Sequence, residues 1–136
     1  KDIRKRLEII SSNVSEIRNM APAVEKKYAS TLREKMAGAG IEIDINDQRF
    51  LKELAFFVER TSITEEIVRL QAHIKRMREV MDRSRCIGTE LDFLCQEIFR
   101  ETNTIGSKAN DSGIAAGVIR IKTELDNLRE QARNVE

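Results

Sequence analysis

The chain has 136 residues, enough for one domain with a buried core, and its 24 Lys and Arg residues nearly balance its 23 Asp and Glu residues. This balance excludes a nucleic-acid binder that acts through a strong overall positive field. Abundant Leu, Ile, Glu, Lys and Arg, with one Pro and six Gly, indicate a helical bundle. No apolar stretch approaches the roughly 20 residues needed to cross a bilayer, so no membrane partner is expected.

The chain opens at Lys1 in a helical pattern, without an initiator Met or a signal peptide. We therefore expect a fragment of a longer protein whose N-terminal domain is missing. Cys86 and Cys95 lack the CxxC spacing of a zinc or redox site, which favours reduced thiols and a cytosolic location.

Apolar residues recur in alternating steps of four and three from Ile3 to Tyr28, which predicts a long first helix. The phase continues through Pro22, whereas a loop there would reset it, so we favour one helix bent at Pro22. The alternative is that Pro22 lies in the first turn of a second helix. Residues 38–40 end this helix, and we expect 41–46 to be a connector.

Asp47 begins the next predicted helix, whose apolar face consists of Leu51, Leu54, Ala55 and Val58. Ser62 and Glu65 have the spacing of a capping box, which predicts the start of the following helix. Gly88 and residues 110–113 mark the two later turns. The apolar seams of the last three helices are Ile63, Ile67, Leu70, Ile74, Met77 and Met81; Ile87, Leu91, Leu94, Ile98 and Ile105; and Ile114, Val118, Ile121, Leu125, Leu128, Ala132 and Val135.

Strict seams joined by short turns predict an all-α fold, with long helices in antiparallel coiled-coil-like hairpins and a bundle without a sheet. We treat residues 1–136 as a single helical domain. Within it, residues 1–60 form a long helical arm and connector, and residues 61–136 form a three-helix core.

Glu101 breaks the seam pattern, because it lies between Ile98 and Ile105 where an apolar side chain is expected. A buried carboxylate must be paired or bound to a cation. A hairpin that turns near residues 85–86 places Glu101 opposite Leu70, and a second turn near Asn110 places Glu97 opposite Thr123. These registers predict one cluster of polar residues: Glu66, Arg69, His73, Glu97, Glu101 and Lys122.

Two interpretations of this cluster stay open. In the structural one, Glu101 pairs with Arg69 or Lys122, and His73 flanks the core. In the functional one, the carboxylates and the only histidine hold a divalent metal or transfer protons near neutral pH. The sequence shows no glycine-rich phosphate loop and no aromatic platform for stacking bases, so sequence-specific RNA recognition is not indicated.

Three segments carry a family resemblance: TEEIVRLQAHIKRM, IGTELDFLCQEIFRETNTIGSKAND and KTELDNLREQARNVE. They resemble the C-terminal motifs of the bacterial YicC/YloC endoribonuclease family, closely over residues 64–136 and loosely before them. The chain departs from the family pattern at Ser62, Ala72, Thr89 and Glu90, where Asp, Ser and a basic pair are usual. The loss of the basic pair weakens any role of the turn near Gly88 in gripping RNA.

The resemblance implies a cytoplasmic bacterial enzyme that cleaves RNA phosphodiester bonds, needs Mg²⁺ or Mn²⁺, forms homo-oligomers and carries a separate N-terminal domain. The fragment alone is expected to be weakly active or inactive. The alternative is a non-catalytic helical module for oligomerisation or RNA binding that supports a separate catalytic domain. The expected site comprises catalytic His73, Glu97 and Glu101; metal ligands Glu66, Asp92, Glu97 and Glu101; and RNA-binding Arg69, Lys108, Lys122 and Arg129.

Overall fold

The structure, a computed structural model, describes residues 2–40, 47–83, 88–109 and 111–135. Within those ranges it contains five helices and no strand: α1 (Asp2–Gly38), α2 (Gln48–Thr61), α3 (Thr64–Met81), α4 (Gly88–Lys108) and α5 (Ser112–Val135). The predicted all-α fold without a sheet is confirmed there. Among the predicted features, the connector 41–46, the turn at 85–86, Ile87 and Asn110 lie outside the described residues.

Four of the helices form a bundle in which each one packs against two neighbours. The N-terminal half of α1 packs against α3 and α5, and α4 packs against the same two helices. Neighbouring helices run antiparallel: Arg6 of α1 pairs with Glu124 of α5, whereas Ile17, further along α1, meets the earlier Gly117. The described seam residues of α3, α4 and α5 are buried in one core, except that Met81 and Ala132 are partly buried against it, and the side chain of Val135 lies outside the described part of the structure. The core also includes Leu7, Ile10, Val14 and Ile17 of α1. The buried core therefore includes residues from both sides of position 60. The division into an arm (1–60) and a three-helix core (61–136) stays a prediction.

The first helix is continuous through Pro22, as the unbroken apolar phase predicts. A proline inside a helix lacks one backbone donor and crowds the preceding turn. Pro22 lies on the exposed side of α1, while Ala21 and Val24 pack against the core on either side of it. Packing of these flanking residues holds the helix together across the proline.

The apolar face of α2 is rotated from the predicted one: Leu54 and Val58 are half-buried, but Leu51 and Ala55 are exposed. Leu51 is 46% exposed, and Phe50 is the buried residue instead. The ring of Phe57 stacks on Tyr28 of α1, with ring centroids 3.5 Å apart. Phe50 and Phe57 are two turns apart on one side of the helix, and aromatic rings bury more apolar area than the smaller side chains of the predicted face. They therefore decide which side of α2 faces α1.

Helix starts also differ from the predicted capping. The residue that precedes α3 is Ile63, which makes no side-chain cap, and Ser62 follows the end of α2. The Ser62 hydroxyl accepts a long hydrogen bond of 3.5 Å from the backbone of Thr64 rather than from Glu65. Two helices share this short junction, so Ser62 cannot adopt the capping-box geometry.

Replacing Gly117 by alanine is expected to lower the free energy of unfolding by about 1–3 kcal/mol, because the added methyl group overpacks the α1–α5 contact. A Cβ at this position would lie 2.9 Å from Cγ1 and 3.0 Å from Cδ1 of Ile17, which is fully buried and cannot swing away. Chemical denaturation measures the change. Gly38→Ala is the control, since a Cβ there meets nothing within 4 Å. Equal stability of the two variants would contradict the close approach.

Candidate active site

Glu101 is buried in the seam between α3 and α4, as its position in the sequence predicts. It is 3% exposed, with Ile98 and Ile105 of α4 buried on either side. Its carboxylate accepts a charge-assisted contact from Arg69 of α3, with 3.0 Å between Arg69 Nε and Glu101 Oε1. The cation that compensates this buried acid is therefore Arg69, which is one of the two partners expected from the sequence.

A second buried acid, Glu66, lies one turn before Arg69 and is also 3% exposed. Its Oε2 is 2.9 Å from Lys108 Nζ and 3.4 Å from Arg69 Nη2. Lys108 also donates a hydrogen bond of 3.4 Å to the carbonyl oxygen of Ser62. Glu66, Arg69, Glu101 and Lys108 thus form one network, here called the Arg69 cluster.

The Arg69 cluster is balanced in charge, with two carboxylates and two cations. Hydrogen bonding to Glu101 raises the pKa of the Arg69 guanidinium above its usual value, and the negative charges of Glu101, Glu66 and Glu65 act in the same direction. One oxygen of the cluster, Oε1 of Glu66, is buried and has no hydrogen-bond partner among the described residues. The Arg69 side chain is 47% exposed, so the guanidinium is anchored on one side and open to solvent on the other.

His73 and Glu97 flank the Arg69 cluster without joining it. His73 is half-buried one turn after Arg69, on the same side of α3. Glu97 is half-buried one turn before Glu101, and its Oε1 lies 4.0 Å from Arg100 Nη1. Because the two helices are antiparallel, the register that pairs Arg69 with Glu101 places His73 level with Glu97. His73 therefore lies one helical turn from Arg69 on the same side of α3.

Three predicted site residues lie at the contact between α4 and α5, on the side of α4 opposite Glu101: Asp92 of α4, and Lys122 and Arg129 of α5. Arg129 pairs with Asp92 at 3.1 Å between Nη2 and Oδ1. The Lys122 ammonium lies over the ring of Phe99, 5.5 Å from its centroid. The expectation that Lys122 joins the cluster around Glu101 is therefore wrong. The register along the α4–α5 hairpin is as predicted, but Glu97 and Lys122 lie on different sides of α4.

The predicted metal ligands are not assembled as one set. Asp92 and Glu101 are nine positions apart along α4, which corresponds to about 13 Å, and Asp92 faces α5. Glu66 and Glu101 do come together, yet Arg69 and Lys108 already neutralise both of them. No group of three or more His, Cys, Asp or Glu side chains among the described residues is arranged to hold a metal ion. This arrangement does not fit a divalent metal, and metal binding stays a prediction.

Cys95 lies beside the Asp92–Arg129 pair, and burial raises the pKa of its thiol to about 12. The thiolate is the reactive form, so we expect Cys95 of the folded protein to resist iodoacetamide at mildly alkaline pH and to react once the protein is denatured. Mass spectrometry of the Cys95 peptide measures the alkylated fraction. Rapid alkylation under native conditions would contradict the buried position.

The role of Lys108 as a partner of Glu66 is the contact that sequence analysis missed. Lys108 was assigned to RNA on the basis of resemblance, whereas its ammonium lies 2.9 Å from a buried carboxylate. The hairpin register that pairs Glu101 with Arg69 also places Lys108 close to the first turn of α3. Extending that register by two turns would have indicated the contact.

Comparison with known proteins gives consistent matches. Residues 17–136 match a family model described as "Endoribonuclease YicC-like, C-terminal". A probable endoribonuclease YicC of Clostridioides difficile (strain 630) is 37% identical over 136 residues, which cover 99% of this chain and 46% of the relative. A probable endoribonuclease YicC of Haemophilus influenzae is 31% identical over 134 residues, which cover 98% of this chain and 46% of the relative.

The chain thus spans about half the length of the curated relatives that it matches. None of its described helices is long and apolar enough to cross a membrane. The family match includes most of α1 and all of α2 to α5, and with them every residue of the Arg69 cluster. From this coverage and from the identity to two curated relatives, the chain belongs to the YicC-like endoribonuclease family, as its C-terminal part.

Proposed function

We propose that the protein containing this chain is an endoribonuclease and that the Arg69 cluster, with His73, contributes to cleavage of RNA phosphodiester bonds. One observation carries the proposal: a carboxylate buried in a helix seam pairs with a half-exposed guanidinium, one helical turn before the only histidine of the chain. The relatives named probable endoribonuclease YicC support the reaction class.

Arg69 is the group proposed to contact the phosphate. In phosphodiester cleavage the oxygen of a hydroxyl or water gives up its proton and bonds to phosphorus, the bond to the leaving ribose oxygen breaks, and that oxygen takes up a proton. Negative charge grows on the phosphoryl oxygens, where a preorganised cation is most effective. Glu101 holds the guanidinium from the buried side, with Glu66 in support, so its exposed side is free to meet the substrate.

His73 is proposed to move the proton, because an imidazole can accept and donate protons near neutral pH. Glu97, level with His73 on α4, is proposed to orient the imidazole. Lys108 is 33% exposed and can contact a neighbouring phosphate. Lys122 and Arg129 lie on the α5 side, so their proposed phosphate contacts belong to a second surface.

A requirement for Mg²⁺ or Mn²⁺ is a separate proposal, because the described acids do not form a ligand set. No step of the reaction is assigned to a metal here. Comparing cleavage in EDTA with cleavage in added Mn²⁺ tests the requirement, and equal rates would reject it while leaving the nuclease proposal intact.

The complete protein is the proposed active form. This chain covers 46% of the curated relatives, so RNA is expected to contact the remaining part of the protein as well. We propose that the active protein is a cytoplasmic homo-oligomer, and that the fragment alone cleaves RNA weakly or not at all.

The decisive experiment measures cleavage of a labelled single-stranded RNA by the complete protein and two matched variants. Arg69→Gln is expected to lower kcat about a hundredfold, which is the scale of losing one oriented charged donor. Arg78→Gln is the control: it removes an equally exposed arginine that pairs with Glu8 of α1, on another side of α3. It is expected to keep the rate within about twofold. Full cleavage by folded Arg69→Gln protein would reject the proposed role.

The second candidate function is a non-catalytic helical module that supports a catalytic domain elsewhere in the protein. The charge balance of the Arg69 cluster favours it, because such a network can serve stability alone. In that case Arg69→Gln would lower stability and leave kcat unchanged, so the same experiment separates the two functions.

A further inference from the structure

A cleft between α1, α2 and the start of α5 has features that the Arg69 cluster lacks. Its volume is about 350 Å³, within the range of small-ligand sites. The stacked rings of Tyr28 and Phe57 line it, with an angle of 2° between their planes. These residues are far apart in sequence, so the fold creates an aromatic surface that the sequence did not reveal.

Cations surround this aromatic surface. Lys27 and Arg60 line the cleft and are exposed to solvent. Neither forms a salt bridge with any residue in the described ranges, whereas both cations of the Arg69 cluster are neutralised by buried acids. The Arg60 guanidinium also lies over the ring of Phe56, 5.5 Å from the ring centroid. A cation that no carboxylate of the described residues neutralises can contact a phosphate.

Asp111 adds a directional acceptor to the cleft. Its Oδ2 accepts a hydrogen bond of 3.0 Å from the backbone of Ile114, which fixes the carboxylate at the start of α5. Its Oδ1 accepts no hydrogen bond from the described residues. The amino groups on the edges of unpaired bases can donate hydrogen bonds to such an oxygen.

The cleft lies close to the Arg69 cluster along the chain. Arg60 lies two residues before Ser62, and the carbonyl oxygen of Ser62 accepts the hydrogen bond from Lys108. From the start of α3 at Thr64 to Arg69 the helix rises only about 8 Å. A strand bound in the cleft can therefore continue towards Arg69.

We infer that the cleft lined by Tyr28, Phe57, Lys27 and Arg60 binds an unpaired nucleotide of an RNA strand. The base packs on the aromatic rings, and the flanking phosphates contact the two cations. Stacking on aromatic rings beside cations is how proteins hold single-stranded nucleic acid without reading its sequence. This inference rests on the proposed function, since it supplies a binding subsite for the same RNA substrate.

The test uses the complete protein and a single-stranded oligonucleotide with 2′-O-methyl riboses and one 4-thiouridine, so that binding is measured without cleavage. Irradiation is expected to cross-link the thiouridine to Tyr28, Phe57 or their immediate neighbours, as mapped by mass spectrometry. Tyr28→Leu is expected to raise Kd about tenfold, because stacking on one ring contributes on this scale. Tyr28→Phe keeps a ring and is expected to stay within about twofold.

Phe93→Leu is the control, because Phe93 is also an exposed aromatic residue, 59% exposed, but lies on α4. Cross-links that map only elsewhere, or an unchanged Kd for folded Tyr28→Leu, would overturn the inference. If Tyr28→Leu does not fold, the cross-link map of the natural protein decides alone. Complete displacement of the oligonucleotide by excess adenosine monophosphate would assign the cleft to free nucleotides and overturn the RNA assignment.

The same protein preparations separate this inference from the proposed function. Cleavage of ordinary RNA with cross-links away from the cleft rejects the cleft alone. Absence of both cleavage and binding rejects the proposed function and the cleft together.

Discussion

Arg69→Met is expected to lower the free energy of unfolding by more than Glu101→Leu, which is expected to change it by no more than about 1 kcal/mol. The first change leaves the 3% exposed carboxylate of Glu101 without its cation. The second replaces that carboxylate by an apolar group of similar size in an apolar seam. It also leaves Arg69 half-exposed, where water and Glu66 can satisfy the guanidinium.

The loss of stability in Arg69→Met is expected to be smaller than in a fully buried pair, because water reaches the open side of the guanidinium. The double variant Arg69→Met/Glu101→Leu is expected to recover most of the loss, since no acid is then left unpaired at position 101. Urea denaturation of the three variants and the natural protein completes a double-mutant cycle. A loss of stability in Arg69→Met no larger than that in Glu101→Leu would show that the seam tolerates an unpaired acid at position 101.

The asymmetry bears on why an acid stands at position 101. If leucine gives equal stability there, then burial of Glu101 does not serve the fold. We expect Glu101→Leu to lower RNA cleavage, as Arg69→Gln does, because the Arg69 guanidinium then loses the carboxylate that orients it. A stable Glu101→Leu protein with full activity would remove the positioning role of this residue.

The height of each residue along its helix could be predicted from sequence. The rise per residue and a short turn together fix which residues of two antiparallel helices lie side by side. The Arg69–Glu101 pair follows from this rule and is observed. Rotation about the helix axis could not be predicted as well. Glu97 of α4 and Lys122 of α5 lie at similar heights along their hairpin, yet Lys122 packs on the side of α4 that carries Phe99, away from Glu97. Each residue of a helix turns the side-chain direction by about 100°.

The same limit explains the error in α2. Its sequence contains two overlapping apolar faces, and a shift of one residue exchanges Leu51 for Phe50. Only the partner surface on α1, with Tyr28 available for stacking, selects the aromatic face. The cleft beside Tyr28 and Phe57 was missed for this reason, since it depends on a contact between residues that are distant in the chain.

His73→Gln in the complete protein is expected to lower kcat between about a hundredfold and ten-thousandfold, the range for loss of a general acid or base. Glutamine keeps the size and hydrogen-bonding ability of the side chain but cannot exchange a proton near neutral pH. Stability should change little, because His73 is only half-buried and makes no ion pair with the described residues of the cluster.

Steady-state kinetics distinguish this role from a structural one. A proton-transfer group affects kcat, whereas a group that only shapes the RNA surface affects KM. Gln71→Ala is the matched control, because Gln71 is a half-buried polar residue of the same helix that lines a separate pocket between α3 and α1, beside Pro22. A rise in KM with unchanged kcat for His73→Gln would move His73 from the reaction to RNA binding. Arg69 would then be the one side chain of this chain that is still proposed to act on the reacting phosphate.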